Sequence, residues 1–575
     1  MSRTHIIGRA LLGLLAVFCT GVMVIGAQVD TRVADAAMAG DTETVRSLLR
    51  QAADVNSAQG DGMTALHWAA LNDNADMIQL LLYAGGNVGA TTRLGAYTPL
   101  FLAARSGHTE VVEILLESGA DPKQAASGGI SPLMMSASSG DADAVRILIG
   151  AGADVNAAET GRGQTPLIFA AAYNRPDAIR MLLEHGAEID KGSKFIEPLE
   201  QRRLPRPNQQ GGQGRQATQG GRTGQQEPQG AQAGGNETQT EKAENENEEP
   251  EVDEKEKEKP EFVTTKGGNP KGELTALMYA ARDGRALAVE ALVEAGADLD
   301  AVNADESTAL LLASINGQFD IARYLVDEGA DVTIASMDGA TPLFAVVNIQ
   351  WARLTFHPQP TTKFEKTHYM DLMTLMLDSG ADPNARLKKD LWYIAPGGAQ
   401  KERTNASAIT AFWKCAAVGD VDGMRLLIER GADPSLASIA GITPLLTAAG
   451  AGYHGNDEVT TPYGRLPAVK YLIEELGADV NEADHEPPPN PDADPNRRPR
   501  PAGGFTALHN AASRGDNEMI MYLVSKGGRL DAVSKNGQTI TDMANGYRQR
   551  VQPYPATVAL LDLLGSKNTH KCVSC

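Results

Sequence analysis

Aromatic side chains make up only 5% of this 575-residue chain, and it has just four cysteines. So few cysteines over such a length exclude a disulfide-stapled scaffold. So few aromatics argue against a sandwich built around an aromatic core. Cations are also in the minority: 52 Lys and Arg against 73 Asp and Glu leave a net charge of −21. Binding to nucleic acid draws on clustered Lys and Arg that release counterions, so nucleic acid is not expected as a partner. There is no phosphate-binding glycine loop, no nucleophile elbow and no His-Glu-x-x-His, and the histidines do not gather at metal-ligand spacing. No catalytic residue, metal site or cofactor is therefore expected, and the chain reads as a non-enzyme.

Small residues and a repeated phrase are abundant instead. The chain is too long for one compact core, which leaves several domains or an extended array. A threonine or serine opens a similar phrase at Thr31, Thr64, Thr98, Ser131 and Thr165, again at Thr275, Thr308 and Thr341, then at Thr410 and Thr443, and last at Thr506 and Thr539. The spacing is 33 or 34 residues wherever nothing intervenes. Within a copy, Thr suits the helix N-cap and Pro the first helical position. A pair of small residues lets the short first helix approach its neighbours. Val111, Val112, Ile114, Leu115 and Leu116 give the second helix an apolar stripe. Gly119 suits the left-handed residue that ends it, and Asp154-Val155-Asn156 marks a turn into the next copy. No unit can bury its stripe alone, so stacking on neighbours must supply the core.

The clearest copy, Thr98-Pro-Leu-Phe-Leu-Ala-Ala-Arg-Ser-Gly-His-Thr-Glu-Val-Val-Glu-Ile-Leu-Leu-Glu-Ser-Gly-Ala-Asp121, resembles the ankyrin repeat. The resemblance implies an all-α solenoid of about twelve helix-turn-helix units. His67 and His509 keep the family's histidine and are expected to serve local hydrogen bonding; elsewhere Phe101, Met134, Ile168, Met278, Leu311, Phe344, Trp413 or Leu446 stands there. The family's binding face is built from turn tips and the two residues after the small pair. Carried over by position, the partner-binding candidates are Leu71, Asn72, Arg105, Ser106, Ser138, Ser139, Ala172, Tyr173, Arg282, Asp283, Ile315, Asn316, Ser513 and Arg514. A protein partner is the expectation.

The period breaks in three places. Residues 191–272, Gln/Gly/Arg-rich and then acidic, hold almost no apolar residues and are expected to be disordered. They divide the units into five before, within 28–190, and seven after, within 273–565. The copies at Thr341 and Thr443 are enlarged at both edges, with loops at about 354–367, 386–405, 453–465 and 485–504. These loops and their margins hold Trp351, His357, Trp392, Tyr393, Tyr453, His454 and Tyr463, local wealth in an aromatic-poor chain. Two readings stand: a recognition site led by Trp392 and Tyr393, or aromatics that pack their own loops onto the stack.

Both termini carry separate signals. Residues 1–27 have a basic flank, an apolar run and a small-residue end, which reads as a secretory signal cleaved after Ala27, with an uncleaved anchor as the alternative. Nothing after it is apolar for long enough to span a bilayer. A periplasmic or secreted protein is expected. Cys415 occupies a small-residue position and reads as a buried, inert thiol. In the tail, 566–575, Cys572 and Cys575 match the spacing of a haem-attachment motif without its following histidine. They are either an oxidised pair or the remnant of a haem site, which leaves a redox or haem-linked docking module as the rival to a scaffold.

Overall fold

The computed structural model describes residues 30–196, 270–352, 362–389, 407–451, 460–485, 503–546 and 553–569. Among them are 24 α-helices and no β-strand beyond isolated bridges. The helices fall into twelve antiparallel pairs, and the twelve threonines and serines singled out by period are the N-cap residues of the twelve first helices.

The local chemistry is the one the phrase dictates. Thr98 Oγ1 accepts the Phe101 N–H at 3.0 Å, satisfying a donor the helix cannot, and Pro99 takes the first position, where no N–H is needed. The second helix of that pair runs Thr109–Glu117. Its Val111, Val112 and Leu115 are fully buried, while Ile114 and Leu116 lie half-buried against the core. Burying each such side chain stabilises by about 2 kcal/mol. Gly119 then turns the chain at φ +89°, where an added Cβ would be strained.

Repeats are joined along two lines of hydrogen bonds as well as through the core. Between units the chain makes a short hairpin, and each hairpin tip donates one backbone N–H to the tip before it. Arg93 bonds Asp61 (2.8 Å), Ser127 bonds Gly95 (2.8 Å), Thr160 bonds Gly128 (2.8 Å) and Lys194 bonds Arg162 (2.7 Å). The row continues through Met337 to Asp305 (2.9 Å), Ile439 to Ser407 (3.0 Å) and Lys535 to Gly503 (3.0 Å). On the other line, the Asn156 side chain spans two repeats: Nδ2 donates to the Gly186 carbonyl (3.0 Å) while Oδ1 accepts the Glu188 N–H (2.9 Å). Asn56, Asn384 and Asn481 make the same double bond. Asp190 and Asp300, having no side-chain N–H, make only the accepting half.

The five units before the insertion and the seven after it stack as one array. The fifth pair, Pro166–Ala172 and Pro176–Glu184, packs directly on the sixth, Ala276–Arg282 and Ala286–Glu294. One hydrophobic cluster runs from Val33 to Leu561. Physically, the intervening residues leave and return through a hairpin tip: Ser193 and Leu274 pair (2.9 Å), as do Ile196 and Lys271 (2.7 and 3.0 Å). Residues 197–269 lie outside the described residues, as do 390–406 and 486–502, which leave from the tips closed by Leu387 with Ile409 and by Asp484 with Phe505. Insertions at a tip lengthen the chain without parting the units below it.

Candidate functional site

Among the described residues no group of three His, Cys, Asp or Glu is arranged to hold a metal, and no helix is long and apolar enough to cross a membrane. Cys415 is fully buried in the helix Ala411–Val418, and burial pushes its thiol well above the ordinary value. That suppresses the thiolate that nucleophilic or ligand chemistry requires. Cys572 and Cys575 lie outside the described residues, as do residues 1–27.

His67 and His509 are structural, as expected. His67 Nδ1 accepts the Thr64 N–H (3.1 Å), closing a capping box, and Nε2 lies 2.9 Å from the Tyr97 carbonyl of the next repeat. A ring that accepts at Nδ1 must donate from Nε2, so His67 is held neutral. Burial accordingly lowers its pKa below the ordinary value. Trp413, standing where these copies have histidine, reproduces the bridge, its Nε1 donating to the Ile442 carbonyl at 2.8 Å. His509 Nε2 faces the Gln538 carbonyl at 3.3 Å.

The partner-binding candidates carried over by position fall together at the C-terminal ends of the first helices. Leu71, Arg282 and Ile315 are last helical residues, Asn72, Tyr173, Asp283, Asn316 and Ser513 are C-caps, and Arg105, Ser106, Ser138 and Ser139 close theirs. They differ in what remains free to meet a ligand. Asn72 reaches back to the Ala37 carbonyl (3.2 Å), Arg282 and Asp283 pair (2.7 Å), and Ser138, Asn316 and Ser513 bond carbonyls of their own helices. Arg514 lies along Gly450 of the preceding repeat, whose missing Cβ makes room for it. Arg105, Ser106 and Tyr173 are exposed, Tyr173 by 57%.

Of the loop aromatics, Trp392 and Tyr393 lie outside the described residues, as do His357, Tyr453 and His454. Trp351 takes the packing alternative. Half-buried at the end of the helix Pro342–Gln350, it donates Nε1 to Asp420 Oδ2 at 3.1 Å and meets the Tyr369 ring edge-on at 6.0 Å. Tyr369 donates its hydroxyl to the same oxygen at 3.1 Å, while Oδ1 of Asp420 caps the next helix through the Gly423 N–H at 3.0 Å. One buried carboxylate thus joins both helices of one repeat to the start of the next second helix. Tyr463 is exposed.

Reading only the positions after the small pair missed the position before it. There the second to seventh repeats carry Trp68, Leu102, Met135, Phe169, Tyr279 and Leu312, whereas the ninth to eleventh carry Lys414, Thr447 and Asn510. Three of them face the hairpins: Trp68 Nε1 donates to Gln59 Oε1 (2.9 Å), and Trp68, Leu102 and Met135 pack with Met63, Tyr97, Ala126 and Ile130. The residues were legible from the period alone, as one more column in the same alignment of copies.

The comparisons agree with this geometry. A family model described as "Ankyrin repeats (3 copies)" matches residues 33–126, 123–193 and 257–336, and one described as "Ankyrin repeat" matches 503–535. The Drosophila melanogaster palmitoyltransferase Hip14 is 39% identical over 84 residues, 15% of this chain and 13% of that protein. Human ankyrin repeat and SOCS box protein 3 is 35% identical over 89 residues, 15% and 17% of the two chains. Caenorhabditis elegans ankyrin repeat and KH domain-containing protein mask-1 is 37% identical over 95 residues, 16% and 4%. The chain thus spans less than a fifth of each of these relatives, and the shared part is two to three repeats long. Twelve capped helix pairs at this period, two lines of bonds between them and these family matches make the chain an ankyrin-repeat protein.

Proposed function

We propose that the protein is a non-catalytic interaction scaffold that binds a protein partner through the face formed by its hairpin tips and first helices. The observation that carries the reading is the exposed row at the first-helix ends, where Arg105, Ser106 and Tyr173 stand on the stack with no side-chain hydrogen bond or ion pair among the described residues. Repeat stacks provide such extended surfaces, with recognition residues changed without cost to the core beneath. We assign its place of action outside the cytoplasm, on the strength of the basic flank, apolar run and small-residue end of residues 1–27.

The test is capture by the full chain against an Arg105→Glu/Tyr173→Ser variant, with helical content compared by circular dichroism. A partner held by the parent and lost by an equally helical variant supports the reading. Equal capture by both sinks this face as the binding surface. N-terminal sequencing of the exported protein tests the cleavage after Ala27.

A further inference from the structure

Within repeats three to six, charge is segregated by face. Arg93, Arg162 and Lys194 are exposed in the hairpin row, linked through the tip-to-tip backbone bonds, and none pairs with a carboxylate among the described residues. Arg105 is exposed and equally unpaired at its helix end, and Arg175 is exposed on the rim with its Nε bonded to the Ser138 carbonyl (3.0 Å). The acidic residues of the same units lie mainly on second helices and the Gly-Ala-Asp turns; in the hairpin row itself, exposed Glu273 shares the tip that carries Lys194, and exposed Asp61 and Glu306 stand in the tips that border the stretch. Of those nearer the face, Glu159 is turned inward and accepts N–H groups of its own loop from Gly161 (2.6 Å) and Gln164 (3.2 Å). Asp141 caps its second helix through the Ala144 N–H (3.0 Å), and Asp283 is neutralised by Arg282. A chain of net charge −21 thus presents cations on one face of one stretch.

The residue before each small pair adds an apolar column along the same first helices. Trp68, Met135, Phe169 and Leu312 are half-buried there, with the more deeply buried Leu102 and Tyr279 between them along the array. Half-buried apolar side chains on units that also carry unpaired cations form a surface that water serves poorly: covering the column gains about 25 cal/mol per Å² removed from water, and the guanidinium groups supply charged hydrogen bonds.

We propose that this stretch takes an extended protein segment in which acidic residues alternate with large apolar ones, the apolar side chains meeting the column and the carboxylates meeting Arg93, Arg162 and Lys194 in the hairpin row and Arg105 and Arg175 at the helix ends and rim. The assignment rests on the scaffold reading above and names the chemistry of its partner. Charge complementarity favours such a segment over a nucleic acid: the cations are confined to four units, and a long polyanion would extend onto the acidic faces beyond them.

The probe is a fluorescein-labelled 14-residue peptide alternating Glu with Leu and Phe, titrated into the full chain at low and at physiological salt and read by anisotropy. Saturable binding is expected, weakened at least tenfold by Arg93→Glu/Arg162→Glu, at least tenfold by Gln in place of Glu in the peptide, and less than twofold by Arg146→Glu, which reverses a cation on a second helix. Equal binding of the Gln peptide, or an effect of Arg146→Glu as large as that of the tip reversals, would overturn the proposal. So would tighter binding of a single-stranded oligonucleotide of equal charge. Binding that appears only once residues 197–269 are deleted would give this stretch to the chain's own acidic run, Glu241–Glu261, and overturn the assignment to a partner. Failure to bind the peptide, with partner capture still lost in Arg105→Glu/Tyr173→Ser, would reject the acidic chemistry and leave the scaffold standing.

Discussion

The carboxylate of Asp190 accepts the backbone N–H of Asp298 at 3.1 Å, although 108 residues of chain separate them. The same joint is closed a second time where Asn174 Oδ1 accepts the Ala288 N–H at 2.9 Å. Deleting 197–269 and joining Ile196 to Pro270 with a short glycine turn should therefore leave the joint intact. Helical signal per chain is expected to be unchanged and the melting midpoint to move by less than about 3 °C, the equivalent of about 1 kcal/mol. Melting of the two halves as separate transitions would show that the insertion holds them together.

Asp420 is buried with three donors on its two oxygens, from Trp351, Tyr369 and Gly423. Asp420→Ala removes a helix cap, worth about 1 kcal/mol, and strands two buried donors at about 1 kcal/mol or more each, a loss of about 3 kcal/mol. Tyr369→Phe removes one bond and should cost about 1 kcal/mol. Amide exchange should locate the loosening in the helices Pro342–Gln350 and Val421–Glu429, with protection of Val111 and Leu115 unchanged.

His67 is lowered from the ordinary 6.5 by burial, so the unfolded chain takes up a proton that the folded one refuses. Its contribution to stability is fully present above pH 6.5 and is lost as pH falls through its folded pKa. Replacing it by Met, the residue at Met134 and Met278, should flatten the pH dependence of unfolding below 6.5. An unchanged acid limb in His67→Met would contradict the neutral ring.

Cys415 should resist alkylation by iodoacetamide in the native chain and react at once in guanidinium, because burial raises its pKa and excludes the reagent. Rapid labelling of the folded protein at this position, read by peptide mass, would show that the ninth repeat opens.

Fold was legible in the sequence because each repeat announces its own boundaries. Thr98 and Pro99 start a helix by local chemistry alone, and Gly119 ends the next one, so the period carries the fold without tertiary information. The continuity across 197–269 was not legible, since composition describes the inserted residues but not the two hairpin strands, Ser193 and Leu274, that hold the exit closed. Among site residues, the period alone puts the candidates at equivalent helix ends, but which of them are spent was hidden: that Asn72 reaches Ala37 depends on how the repeats pack. Trp351 was open between two readings for a similar reason. An aromatic at the edge of an insertion fits recognition and packing equally until a buried carboxylate 69 positions away is found to hold it.

The paired exit of residues 197–269 has a mechanical consequence. Ile196 and Lys271 are held side by side by two backbone bonds, so anything tethered through that stretch pulls on both strands in the same direction. Such a load does not prise the hairpin open from its tip. It passes to the bonds that tie this hairpin to its neighbours, from Lys194 to Arg162 (2.7 Å) on one side and from Ala304 to Gly272 (3.2 Å) on the other, and is shared by units that a force applied at the chain ends would strip away one at a time.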